Sequence, residues 1–391
     1  MNECTRRSLL QGAALAAVAA APAKAETWEG TPATILSNDR LKVTVLLRGA
    51  SVADLVLADD AEKMSPLWNP VRMNRELGRE SQPSSSVGHF ICVDGFGGVS
   101  AEERAAGLTN HGEAHLQEFR PETRRQGTGS ELTLGTNLPV MQENFQRTYR
   151  LVDGESVVYV ESTLENLLGF DRPVQWAEHA TVGSPFLESG ATVFDLSGRR
   201  SQTRPYQPAA NATAGTIRRL TSGQNFEWPM APGLDGKAVD MRSTPEAPHY
   251  LDHTATLVDP SRALGWVTAL HPGRRLLLGY VFRRAEYPWL QTWGNYPSTG
   301  KFARGMEFST QPYDLPRRDT AAMGTMFDTA LFRWMPAKGK IQTRFLFFYT
   351  RVPAGFAKVD DLRLENGRVV AEDRGARLQV TLMASQAFSP K

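Results

Sequence analysis

The chain is nearly free of cysteine, with two in 391 residues. Cys4 falls in the leader described below, so Cys92 remains alone and an internal disulfide is excluded even in an oxidising compartment. There is no excess of either charge. Beyond residue 25 the 44 basic and 42 acidic residues fall by three and by one, to 41 of each. Nucleic acid and anionic membrane surfaces are therefore poor partners, since both select a basic face. Long hydrophobic runs are missing as well. The alanine-rich stretch between Gln11 and Lys24 is too short for a stable membrane span. The phosphate-binding P-loop, G-x-G-x-x-G and G-x-S-x-G patterns do not occur. Their absence speaks against kinases, dinucleotide-dependent dehydrogenases and α/β-hydrolases.

What is present begins at the N-terminus. Arg6-Arg7, a short apolar stretch and Ala23-Lys24-Ala25 make a twin-arginine export signal over residues 1–25. Cleavage is expected after Ala25, leaving a protein of residues 26–391 that crosses a bacterial membrane folded and works in the periplasm or otherwise outside the cytoplasm.

That remainder reads as β throughout. Residues 34–47, 156–164, 263–270 and 342–349 are rich in β-branched and aromatic residues. Gly, Pro and Asx residues interrupt such runs about every ten positions. Only Ala101–Ala106 suggests a helical turn or two, and no repeat of 20–50 residues appears. Residues 205–250, rich in Pro, Ala, Gly and Asn, read as a long excursion or lid. Many strands without crossover helices predict an all-β fold, one large antiparallel β-sandwich domain.

The chemistry must then lie in scattered histidines and carboxylates. In Asn110-His111-Gly112-Glu113-Ala114-His115 the two histidines are four apart, a metal-ligand spacing on a helix. Gly112 weakens a helix, and on a strand the two would be roughly 13 Å apart. Structural imidazoles in a loop and a polar substrate site are the other readings. His179 lies in an apolar strand, either as a satisfied core residue or as a catalyst. Glu307 lies between Met306 and Phe308, so its carboxylate faces away from those apolar side chains. That face is either solvent or the concave side of a sheet that holds a ligand.

Together these segments resemble the aldose 1-epimerase, or galactose mutarotase-like, superfamily. Asn38-Asp39-Arg40-Leu41 through Leu55 is similar to its first strands. Gly88–Gly97 followed by Asn110–His115 resembles its glycine-rich stretch and H-G-x-A-R motif. Phe145–Leu151 and Leu164-Glu165-Asn166 resemble the elements before its catalytic histidine, where His179 stands here. Glu307 with Thr310-Gln311 resembles the strand that carries its catalytic glutamate. Two arginines of the hexose-phosphate branch are replaced, one by His115 and the other by Val87. Those arginines suit phosphate, so the departure argues against sugar phosphates.

The resemblance implies a galactose mutarotase-like supersandwich and interconversion of sugar anomers. Glu307 would take the proton of the anomeric hydroxyl and His179 would protonate the ring oxygen. The two should flank the sugar ring, several ångströms apart and not directly paired. His111, His115, Arg75, Asp252 and Gln311 are substrate-binding candidates, and Trp293 offers a flat face to a pyranose. No metal or organic cofactor is required, and the partner is a sugar or oligosaccharide. A carbohydrate-binding protein without catalysis, or a lyase or hydrolase on the same fold, are the rival readings. A hydrolase would need a second carboxylate beside Glu307.

Overall fold

The computed structural model describes residues 26–125, 129–205, 218–246 and 249–388. Residues 1–25, read above as an export signal, lie outside these residues. Among those described, a twelve-stranded and an eight-stranded antiparallel sheet face each other. The expected strands are present as Val157–Asn166, Leu264–His271 and Lys340–Arg351. The short helix Ala101–Ala105 is present too, started by a capping box between Ser100 and Glu103.

The period-two pattern explains why the sheets pack. In Glu143–Val152 alternate residues are buried, sending Phe145, Tyr149 and Leu151 inward with Arg147. From the first sheet, Ile91, Val182, Leu290 and Phe308 join a core with Val160, Leu278, Phe345 and Phe347 of the second. Lys340–Arg351 is central in the second sheet, bonded to Leu276–Arg283 on one side and to Val157–Asn166 on the other.

A third layer completes the fold. The meander Asp361–Glu365, Arg368–Asp373, Leu378–Met383 covers the outer face of the eight-stranded sheet. Leu346 and Phe348 pack against Leu362, Val369 and Val380 there, while Phe345 and Phe347 face the main core. The last part of Lys340–Arg351 is accordingly buried on both faces.

The 205–250 excursion is structured where it is described, with residues 206–217 and 247–248 lying outside. Asn225–Glu227 extends the edge of the large sheet, Met230–Pro232 pairs with Ala238–Asp240, and Leu220, Ala231 and Met241 form a small core of their own. None of its described residues lines the cleft discussed below.

One charged cluster sits inside the sandwich. Glu178 receives bonds from Arg147 at 2.5 Å, Trp176 Nε1 at 3.0 Å and Tyr287 at 3.1 Å, and its other oxygen lies 2.9 Å from His89 Nε2. All five residues are buried. The cluster ties the strand Trp176–Gly183 to the opposite sheet. Strand alternation then points the next residue, His179, to the other face.

Candidate functional site

Register assembles the site on the outward face of the large sheet. His179 is paired with Phe90 on one neighbouring strand. On the other side Ala177 is paired with Ser309 and Glu178 with Phe308, so Glu307 comes beside His179. Glu307 is in turn paired with Gln291, and Trp293 with His253. A cleft of about 360 Å³ opens over these residues. Trp68, Phe90, Phe96 and Trp293 give it aromatic walls, and His111, His179, His253, Glu307 and Asp314 give it polar atoms.

His179 Nε2 lies 3.4 Å from Glu307 Oε1. This corrects the expectation that the two stand apart without touching: side chains on one face of adjacent strands have Cβ atoms only about 5 Å apart. His179 is stacked on Phe90 with ring centroids 4.2 Å apart, and its Nδ1 lies 2.9 Å from Thr181 Oγ1, which turns Nε2 toward Glu307. Neither oxygen of Glu307 has a hydrogen-bond partner among the described residues. Burial pushes the Glu307 carboxyl well above the usual carboxylate range, and the charge of Asp314 pushes it further. Burial holds His179 well below the usual histidine range, with His111 adding to the effect. Both shifts favour the uncharged form of each residue.

His111 has a defined tautomer. The Gly97 N–H donates to its Nδ1 at 3.2 Å, so in the neutral ring the proton is on Nε2. Burial lowers its pKa to about 4, partly opposed by Asp314. Near neutral pH His111 is thus an uncharged N–H donor. The left-handed backbone of His111, at φ 67°, and of Gly112, at φ 77°, makes the tight turn here. A side chain at 112 would run into the Val93 carbonyl.

The remaining candidates are spread more widely. His115 is buried behind this wall, its ring centroid 6.1 Å from that of His111 and 6.2 Å from that of Phe90, and it does not line the cleft. Arg75 is on an exposed helix and pairs with Glu29 at 2.6 Å, so it does not serve the cleft either. Asp252 is buried and paired with Arg219, and its neighbour His253 takes the cleft-facing position. Gln311 supports the site from below, its main-chain carbonyl accepting from Gln291 Nε2 at 2.8 Å and from Ser309 Oγ at 2.6 Å. The structure thus gathers His111, His179, Trp293 and Glu307, and adds His253 and Asp314.

No protein-family model matches the chain, and no curated protein matches its sequence. Its fold does match solved structures. A candidate aldose 1-epimerase from Klebsiella pneumoniae aligns over 82% of this chain and 80% of its own, with 15% identity and a TM-score of 0.58. A galactose mutarotase related enzyme from Lactobacillus acidophilus aligns over 85% and 100%, with 14% identity and a TM-score of 0.53. A galactose mutarotase-like protein from Clostridium acetobutylicum aligns over 84% and 98%, with 12% identity and a TM-score of 0.54. At this level of identity the likeness is one of fold: the chain has the galactose mutarotase-like β-sandwich.

Proposed function

We propose that this protein is an exported aldose 1-epimerase-like enzyme acting on an unphosphorylated sugar. The observation that carries the reading is the contact between His179 and Glu307 at the floor of an aromatic-walled cleft. A pyranose stacked on an aromatic wall would bring its anomeric hydroxyl and ring oxygen to this pair. Transfer of a proton from the Glu307 carboxyl to His179 would give a carboxylate and an imidazolium. Glu307 then takes the anomeric O–H proton while His179 gives its Nε2 proton to the ring oxygen. The bond between the anomeric carbon and the ring oxygen breaks, and a carbonyl forms. The pair is left neutral. Rotation of the aldehyde and the reverse steps yield the other anomer. His111 Nε2–H is placed to hold a sugar oxygen during this turnover.

The test is saturation-transfer NMR on a panel of unphosphorylated aldoses near neutral pH. Exchange between anomers faster than in buffer supports the reading. Binding with no acceleration for any bound sugar would leave a binding protein instead.

Gly305 offers a finer check. A methyl group at this position would overlap the Glu307 carboxyl. Gly305→Ala is expected to fold with little loss of stability, because a side-chain tip can move aside. It should slow anomer exchange by roughly 10²-fold through the misplaced carboxyl. A variant with parental kcat would show that the position of this carboxyl is not critical.

Export is tested separately. Replacing Arg6 and Arg7 by Lys should hold the precursor in the cytoplasm, seen by fractionation with an antibody to the protein. Undiminished export would refute the twin-arginine reading.

A further inference from the structure

His253 and Asp314 face the cleft but have no part in the proton transfers described above. Their hydrogen-bonding roles follow from the groups behind them. Gln291 Nε2 donates to the Gln311 carbonyl at 2.8 Å and to Ser309 Oγ at 2.9 Å. A carbonyl only accepts, so this end of the Gln291 amide is the NH₂ and the other end is the oxygen. That oxygen lies 3.0 Å from His253 Nε2, which must therefore carry the proton. In the neutral ring His253 Nδ1 is left as a bare acceptor. It lies 3.4 Å from Asp314 Oδ1, which is also an acceptor. Burial keeps His253 below the usual histidine range although Asp314 draws it upward. Two acceptors at this spacing cannot satisfy each other; Asp314 Oδ1 already accepts from Arg204 Nε, and His253 Nδ1 is left able to accept from a group entering the cleft.

Asp314 is well anchored. Arg204 Nε donates to its Oδ1, and the chain passes so close to Gly97 that a side chain at 97 would overlap it. Gly97 is also the residue whose N–H fixes His111. The acceptor pair and the His111 donor thus meet at one rim of the cleft. Register sets the other dimension: the strand of His253 is two strand spacings from that of Glu307, roughly 10 Å at the backbone.

We propose that His253 and Asp314 form a second grip on the substrate, an acceptor pair that takes the hydrogens of neighbouring sugar hydroxyls and restricts the site to uncharged aldoses. This rests on the reading of the cleft as a sugar site, but not on catalysis there. Among the described residues that line the cleft there is no Lys or Arg. Arg204, just behind it, is committed to Asp314. A uronate or sugar phosphate would meet the Asp314 carboxylate with no cation to receive it. His253 and Asp314 are specificity residues here, and His179 and Glu307 remain the chemical pair.

The experiment is equilibrium binding by NMR titration of neutral aldoses against the matching uronates, for the wild type and three variants. The wild type should bind neutral sugars and reject uronates. Asp314→Asn keeps the shape, removes the charge and releases Arg204. It should bind neutral aldoses about 10-fold more weakly, the loss of one charge-assisted hydrogen bond, and should gain measurable uronate binding. His253→Phe should weaken neutral-sugar binding, whereas His253→Asn, which keeps an acceptor near the Nδ1 position, should recover part of it. A purely structural role would lower stability without changing the ratio of neutral to acidic sugar bound. Unchanged selectivity in Asp314→Asn, or equal losses in His253→Phe and His253→Asn, would overturn the proposal, and the two histidine variants decide it alone if Asp314→Asn does not fold. Neutral sugars that bind selectively without faster anomer exchange would overturn the epimerase reading and leave this grip standing. A wild type that binds none of the neutral aldoses would end the proposal.

Discussion

Glu307→Gln is expected to lower the rate of anomer exchange by roughly 10²-fold or more while sugar binding survives. The amide keeps the volume of the side chain and loses only its capacity to cycle a proton with His179. His179→Asn should behave alike, since the Nε2 proton is lost. Stability gives a second and opposite signature. The folded-state pKa of Glu307 is raised, so its contribution is fully present below the unfolded value of 4.5 and is lost as pH rises through the folded value. Burial thus penalises ionisation of this carboxyl as pH rises above 4.5, and Glu307→Gln should melt at a higher temperature than the parent near neutral pH, with the difference vanishing below pH 4.5. A variant that is both less active and less stable would indicate general damage to the cleft. Full activity in Glu307→Gln would remove the acid–base mechanism altogether.

The second large effect lies inside the sandwich. Arg147→Met leaves the Glu178 carboxylate buried with no full positive charge beside it, and the expected loss is about 3–5 kcal/mol of unfolding free energy. Urea unfolding followed by tryptophan fluorescence would measure it. Burial alone would raise the Glu178 carboxyl, but Arg147 and His89 outweigh it and hold the pKa at about 2. A depressed carboxylate pKa means stability that is present above the unfolded value of 4.5 and lost as pH falls toward 2. His89, pushed below 6.5 by burial, adds acid lability that begins under that value. These two groups therefore contribute a loss of stability that begins below pH 6.5, opposite in sign to the contribution of Glu307. Much of that slope between 4.5 and 2 should disappear in Arg147→Met/Glu178→Leu, which removes both charges together. A cost under about 1 kcal/mol for Arg147→Met would show that the cluster is an incidental ion pair.

The sheets were legible because strand alternation and turn residues are local signals. Glu307 could be placed on the outward face from Met306 and Phe308 alone, and the structure puts it there beside His179. The contact between them was not legible, because it depends on the register of Glu307–Ser309 against Trp176–Gly183, and register is decided by the whole sheet. The Asp252 candidate stopped one residue short. Adjacent strand residues point to opposite faces, and a shift of register between Tyr250 and Asp252 marks this strand, so counting from the sequence gave no reason to prefer His253. Asp314 comes from a loop after the Glu307 strand, and loops carry no periodicity from which direction can be read. Arg75, a candidate for a sugar-hydroxyl contact, is engaged instead by Glu29, 46 residues away, a partner that its own position in the sequence does not reveal.

The position of Lys340–Arg351 has a consequence for how the chain is made. It is the strand that joins the two halves of the eight-stranded sheet, and it follows both of its neighbours in the sequence. Until it emerges, Leu276–Arg283 and Val157–Asn166 have open edges with nothing between them, and open apolar edges invite pairing with other chains. The meander that follows must then be synthesised before Leu346 and Phe348 leave water. Closure of the eight-stranded sheet therefore waits until synthesis has passed Arg351. A stop codon placed after Arg351 should yield a sheet with one greasy surface and an aggregating product, while short additions after residue 388 should be harmless.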